Sequence, residues 1–370
     1  MNIILFLLII GVLVLVHEFG HFIVAKKSGI RVDEFAIGFP PKLFSWKRGE
    51  TRYALNLIPF GGYVKIFGEN PDQDSLQGPD KKRSFVHKPR YIQAAVLVAG
   101  VMMNVLFAWV LFSVAIMIGL PAPSGYAGDK QLVDSKTAVV AVFPDTPAEK
   151  VGLKTGDAIL SIAVLDQNGA VTKDIIQNGG SEAVQKFIGS HGEAPLKLTL
   201  SRKNEIKELI ATPVTGLVEG RAALGISLGQ VGILKLPFFE SFIEGAKISY
   251  YMLGTIAVGL YELVKSGIMG QGDFSQVSGP VGIVGMVGEA QAVSFTYLLS
   301  FVAMISLNLA VINLLPFPAL DGGRLLFVAL EGITRRKIKP QIANALNIGG
   351  FAVLMLLMVV VTYQDILKLF

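Results

Sequence analysis

The chain contains no cysteine. Disulfides and thiolate metal ligation are therefore excluded, while the absence says little about compartment. Charge is also scarce. Asp, Glu, Lys and Arg make up 16% of the 370 residues against 52% hydrophobic ones, and the mean hydropathy is +0.57. That balance predicts several membrane spans plus one soluble domain. The net charge of +5 reads as membrane topology rather than as a nucleic-acid footprint, so no nucleic-acid partner is expected. A removable signal peptide is not expected either. The N-terminus lacks a basic leader, and its apolar character resumes after the first polar residues.

Histidine is rare, with four in the chain, and two of them stand in one short pattern: His17-Glu18-Phe19-Gly20-His21. The apolar run Ile3 to Val16 precedes it, Phe22 to Ala25 follows, and Lys26 and Lys27 close the segment. Glu18 is the one charged side chain before Lys26. Ionisable groups at membrane depth are costly and by default mark function. On a helix, positions i and i+4 lie about 40° apart around the axis and about 6 Å apart along it. His17 and His21 can therefore share one Zn²⁺, with Glu18 beside them to take a proton from water. The plainer reading is a chance match, a helical His pair with no metal. His87 and His191 sit in polar surroundings and read as ordinary surface residues.

Four spans are predicted, over residues 2–25, 92–120, 295–316 and 345–363. A fifth apolar stretch, 241–265, carries Glu244, Lys247 and Glu262. The loop 26–90 holds thirteen Lys and Arg against seven Asp and Glu, and Arg335, Arg336, Lys337 and Lys339 lie between spans three and four. The region 121–235 is balanced, with twelve of each sign. Basic loops stay inside, which places both basic segments in the cytoplasm and 121–235 outside. Residues 241–265 then cannot span, and are read as an amphipathic membrane-surface helix. The His pair falls about 7–14 Å inside the cytoplasmic surface. The far end of span three reaches the same depth. It reads Asn313-Leu314-Leu315-Pro316-Phe317-Pro318-Ala319-Leu320-Asp321-Gly322-Gly323. The prolines stop the helix and Gly322-Gly323 permits a tight turn. Asp321 needs a partner at that depth. Capping the next helix is one outlet; completing a three-ligand zinc site with His17 and His21 is the other.

These residues resemble the site-2 protease family of intramembrane zinc metalloproteases, in its bacterial regulator-of-sigma-E branch. The likeness rests on His17 to His21 and on Asn313-x-x-Pro316-x-Pro318-x-Leu320-Asp321-Gly322. It extends through Gly61-Gly62-Tyr63-Val64-Lys65, Gly100-x-x-x-Asn104 and Ser278-Gly279-Pro280-Val281-Gly282, over nearly the whole chain. Relatives often carry proline where this chain has Val101. Sigma-E relatives carry two PDZ domains where the space here suits one. The resemblance implies a β-rich loop, within 31–68, that re-enters the membrane beside the active site, with Gly62 and Tyr63 binding substrate along an edge strand. A cytoplasmic hairpin packed for stability is the alternative. It also implies that Asn313 and Pro316 position an unwound substrate.

The external region reads as strand at Ala138–Phe143, a short helix near Thr146–Leu153, and strand from Ala158. A helix from Ser181 to Ile188 follows, with Ser181 as N-cap, and then the alternation Leu196, Leu198, Leu200 before a polar turn at Lys203-Asn204. This order resembles a circularly permuted bacterial PDZ domain. A packed domain with no peptide ligand is the alternative. It joins span two through the linker Pro121–Gly128. Either recruitment of a pre-cut C-terminus or exclusion of substrates with bulky external domains would follow, and exclusion is favoured.

The expected protein is a polytopic α-helical membrane protein of four transmembrane helices, with a β-rich re-entrant loop and an inserted α+β PDZ-like domain. Its segments are 1–25 (span one), 26–91 (cytoplasmic and re-entrant), 92–120 (span two), 121–232 (PDZ-like, extracytoplasmic), 233–290 (membrane-surface), 291–332 (span three with the third ligand) and 333–370 (connector and span four). The expected location is the inner or plasma membrane. The expected activity is intramembrane proteolysis with Zn²⁺ on His17, His21 and Asp321, and Glu18 as general base. The partners are the lipid bilayer and a pre-trimmed single-pass protein, of the anti-sigma-factor or signal-peptide-remnant kind. A catalytically silent PDZ-bearing scaffold or chaperone is the alternative, against which the intact Glu18 counts. A zinc transporter is a third reading, against which the catalytic type of ligand set counts.

Overall fold

The computed structural model describes residues 2–70, 73–123, 132–166, 168–202, 205–218, 220–270, 278–336 and 338–368. Lys203, Asn204, Lys337 and the Gly128 end of the expected linker lie outside the described residues. The chain divides into two compact units, residues 1–115 with 242–370, and residues 116–241.

The first unit begins with helix α1, Asn2–Lys27. Its end has a local cause. Gly29 takes a φ of +66°, and the Ile30 N–H returns to the Ala25 carbonyl at 3.0 Å, which closes the last turn. Lys26 and Lys27 sit where the helix dipole favours cations. Strands β1, Val32–Arg48, and β2, Thr51–Ile66, follow as an antiparallel hairpin. Helix α2, Gln73–Gln77, is brief, and α3, Arg90–Ile118, is the second long apolar helix. It ends where Gly119 turns to φ +126°.

The second unit holds β3 (Leu120–Pro123), β4 (Val133–Val142), α4 (Pro147–Lys150), β5 (Ala158–Leu165), β6 (Val171–Gln177), α5 (Ser181–Ser190), β7 (Leu196–Arg202), β8 (Glu205–Ala211), β9 (Val214–Val218), β10 (Arg221–Ala223) and β11 (Ile226–Leu234). Its main sheet runs β3-β11-β4-β5-β7-β8, with β6 on β5, while β9 and β10 pair separately. Leu196, Leu198 and Leu200 are fully buried, as their alternation predicts, against Ile159, Ile162, Val184 and Ile188. Ser181 is not the N-cap. Gly180 occupies that position and no side chain caps the helix.

The chain returns to the first unit through α6, Phe238–Ile268. Trp109 Nε1 of α3 donates to the Phe242 carbonyl at 2.7 Å. Then come α7, Pro280–Val293, α8, Phe295–Leu314, α9, Asp321–Thr334, and α10, Pro340–Leu367. Ser294 caps α8 by accepting the Tyr297 N–H at 3.0 Å. The α8 helix stops two residues ahead of Pro316, since proline disfavours helix in the residue before it. Ile9 and Leu13 of α1 pack with Val287 and Ala290 of α7 and Leu298 and Ile305 of α8. Among the described residues, four helices are long and apolar enough to cross a membrane: Asn2–Lys27, Arg90–Ile118, Phe295–Leu314 and Gln341–Leu367. The protein is a multi-pass membrane protein carrying an inserted β-rich domain.

Gly322 and Gly323 make no tight turn. They open α9 in helical geometry, and what they supply is closeness. A Cβ on Gly322 would stand 2.2 Å from the Leu315 carbonyl oxygen, and one on Gly323 2.2 Å from that of Phe317. The start of α9 is pressed against the turn that precedes it, which sets the position of Asp321.

Candidate metal centre

His17 and His21 lie one turn apart on α1 and point into the protein, 7% and 6% exposed. Their Nε2 atoms are 3.1 Å apart. Asp321 Oδ2, about three hundred residues away in sequence, lies 2.9 Å from His17 Nε2 and 3.1 Å from His21 Nε2. Two ligands of a tetrahedral zinc at about 2.0–2.1 Å stand about 3.3 Å apart, so this triangle needs to open by only a few tenths of an ångström. Among the described residues no other group of three such side chains brings its ligand atoms together.

The outer ring nitrogens are also held. His21 Nδ1–H donates to the Val96 carbonyl at 2.7 Å, which leaves Nε2 with its lone pair facing Asp321. His17 Nδ1 lies 3.3 Å from the amide nitrogen of Asn104. Asn104 is fully buried, and its Oδ1 is left without a partner. Turning that amide end for end makes Oδ1 accept from His17 Nδ1–H. It satisfies both groups and frees His17 Nε2 for a cation, the second-sphere arrangement of a metal-bound imidazole. The Asn104 carbonyl accepts from Ser306 Oγ at 2.8 Å, tying α3 to α8.

Two glycines let the helices close. A Cβ on Gly20 would stand 2.3 Å from the Ala99 carbonyl oxygen, and one on Gly100 2.5 Å from His21 Nε2 and 2.8 Å from His17 Cε1. Val96, Gly100 and Asn104 recur every four residues, so one stripe of α3 faces both imidazoles. The motif Gly100-x-x-x-Asn104 carried that signal; Val96, acting through its backbone, left none.

Glu18 sits beside the ligand triangle. Its Oε2 accepts the Val64 N–H of β2 at 3.0 Å. Gly62 and Tyr63 immediately precede Val64. A Cβ on Gly62 would meet the Ala36 carbonyl oxygen at 2.6 Å, and Tyr63 donates its hydroxyl to Glu34 Oε1 at 2.9 Å. The stretch Gly61 to Lys65 includes Val64, but its contact with Glu18 is made by a backbone N–H, which no side-chain pattern marks. Asn313 is half-buried at the end of α8, and Pro316 is exposed in the following turn. Neither hydrogen-bonds to the three ligands among the described residues. Beyond Asp321, Arg324 pairs with Glu69, which follows the end of β2.

The model of peptidase family M50 matches residues 5–357. A protein of Clostridium perfringens named as a zinc metalloprotease is 37% identical, over 99% of both chains. Zinc metalloprotease RasP of Oceanobacillus iheyensis is 30% identical, over 100% of this chain and 99% of its own. RasP of Geobacillus kaustophilus is 31% identical, over 100% and 98%. The alignment with the Oceanobacillus protein runs to 452 positions, so that relative carries residues for which this chain has no counterpart.

Proposed function

The chain belongs to peptidase family M50 and is a membrane zinc metalloprotease, and from that premise we propose that it cuts a single-pass transmembrane protein inside the bilayer, toward the cytoplasmic face. The observation that carries this reading is the meeting of Asp321 with His17 and His21, with the Glu18 carboxylate held next to them by the strand of Gly62 and Tyr63.

Zn²⁺ on His17, His21 and Asp321 would supply Lewis acidity toward the scissile carbonyl and lower the pKa of water toward neutrality. Glu18 takes the proton of the attacking water and returns it to the leaving amine. The Val64 N–H keeps that carboxylate aimed. Peptide bonds in a substrate helix are already hydrogen-bonded and shielded, so the substrate must be held extended. The backbone of β2 at Gly62 and Tyr63 offers pairing for an added strand. Asn313 and Pro316, next to the turn that carries Asp321, help hold the unwound segment. The basic loops lie in the cytoplasm and the inserted domain, PDZ-like, outside. The substrate is already trimmed, either an anti-sigma factor or a signal-peptide remnant.

The test uses purified protein in liposomes with a membrane-embedded reporter. One zinc per chain and reporter cleavage are expected of the native protein. Glu18→Gln should retain the zinc, lose cleavage and trap bound substrate for identification by mass spectrometry. Undiminished cleavage by Glu18→Gln, or full zinc occupancy in Asp321→Ala, would overturn the assignment.

A further inference from the structure

A cavity of about 300 Å³ is lined by residues of β2's exit, α3, α9 and α10, and its wall is built from the immediate neighbours of the metal centre. Leu97 follows Val96, whose carbonyl holds His21. Arg324 and Val328 continue the face of α9 that begins with Asp321, at spacings of three and seven. Glu69 lies just past Ile66, the end of the strand that holds Glu18. The three elements that fix the ligands and the base thus also enclose one hollow, at the small end of the range for ligand pockets.

Its chemistry is apolar and neutral. Phe85, Leu97, Phe327 and Val328 form the walls. Each lining arginine is matched by a glutamate, Arg324 with Glu69 and Arg90 with Glu331 at 2.6 Å. Gln93 donates to the Lys88 carbonyl and accepts from Arg90. Asn347 Oδ1 accepts from the Ala319 N–H. The lining arginines and glutamates pair with one another, so a charged guest would be stripped of water without a free ionic partner.

We propose that this cavity is a specificity subsite that receives one apolar side chain of the substrate, leucine or phenylalanine in size, close to the scissile bond. The inference rests on the proteolytic reading above. An extended chain advances about 3.3 Å per residue. A strand added along Gly62–Val64 and passing Glu18 therefore reaches the Glu69 and Arg324 end of the cavity within a few residues, and alternate side chains point to one side of it.

The test scans a membrane-embedded reporter, placing Ala, Leu, Phe, Trp and Lys in turn at each of five positions on either side of the cut. The native protein should show one position where Leu or Phe is cleaved about tenfold or more above Ala, with Lys worst, the discrimination an apolar pocket can give. Ala343 lines the cavity from α10 and is only half-buried. Ala343→Phe should fill the hollow and shrink that preference to about twofold or less, while zinc content is retained. Phe327→Ala should enlarge it and move the optimum toward Trp. No preferred position in the native protein, or a preference that survives Ala343→Phe unaltered, would overturn the subsite. If the zinc-loaded native protein cuts no reporter at all, the proteolytic reading itself falls.

Discussion

Gly100 contributes to the metal centre by having no side chain. A methyl group there would lie 2.5 Å from one imidazole and 2.8 Å from the other, and the backbone of α3 cannot retreat while Ser306 and Asn104 hold it to α8. Gly100→Ala should therefore push the rings apart and abolish zinc binding in a protein that still inserts and folds, as read by metal analysis beside a detergent-stability assay. Asn104→Ala should act more gently. It removes one second-sphere partner of His17, so zinc affinity should drop about 10- to 100-fold, measured by competition with a chelator. An unchanged affinity would mean that Asn104 does not orient His17. At this scale the chain marks the side chains that the structure brings together. His17, Glu18, His21 and Asp321 stand out because ionisable side chains are rare in apolar segments, and a membrane leaves them few innocent roles. Groups that act through the backbone, the Val96 carbonyl and the Val64 N–H, carry no such mark, since any side chain offers the same atoms.

Among the elements, the hairpin shows where pattern reading stops. Its apolar spacing gave strands, yet not their arrangement. Phe35 pairs with both Val64 and Tyr53, and Tyr53 also pairs with Trp46. The two long strands therefore fold into a four-stranded sheet ordered 42–48, 51–56, 32–37 and 62–66, with register shifts at the bends. Alternation in sequence cannot show that one strand has two partners. The turn of this hairpin is fastened by Glu50, which pairs with Lys26 at 2.7 Å and with Arg83 at 2.5 Å. Lys26 first, and then Arg83, hold the Glu50 carboxyl below its ordinary range. A carboxylate whose folded pKa is depressed stabilises above its unfolded pKa and loses that contribution as pH falls through the folded value. The hairpin of the native protein should thus resist proteolysis at neutral pH and loosen in acid below about pH 4. Glu50→Gln should be looser at neutral pH and lack that acid step; equal protection in the two proteins would show the fastening to be idle. The helices pose a different question. The 31-residue α6 is long enough to span, but carries five charged residues, Glu240, Glu244, Lys247, Glu262 and Lys265, and is not among the four apolar helices. With no native cysteine to interfere, Arg336→Cys should be labelled by an impermeant reagent only from the cytoplasm and Asn168→Cys only from outside. Labelling of Arg336→Cys from outside would make α6 a fifth span and part Asp321 from the histidines.

The whole molecule is two units with separate cores, one of packed apolar helices and one around the inserted sheet. Part of the inserted unit's order was readable, the strands β4, β5 and β7 and the helix α5, because its leucines alternate and its turns carry glycine and proline, whereas β3, β6, β9, β10 and β11 were not read from the sequence. The unit's task was not readable, since one and the same frame can recruit a peptide or merely occupy space. The antiparallel pairing of β3 with β11, Pro123 opposite Val231 and Leu120 opposite Leu234, brings the unit's entry and exit side by side. Residues 129–228 can therefore be replaced by a flexible linker without stretching the chain between the spans. If the unit excludes substrates by size, the shortened protein should cut a reporter with a long external domain that the native protein refuses, while a reporter with a short one is cut about as before. Recruitment predicts the reverse pattern. A peptide contact mainly concentrates the substrate, so its loss should raise the apparent KM for the short reporter and leave the long one uncut. Exclusion is the outcome we expect, because the metal centre and Glu18 lie wholly in the other unit and require nothing from this one for chemistry. A zinc-loaded, correctly inserted deletion protein that no longer cuts even the short reporter would reject the gate in favour of recruitment.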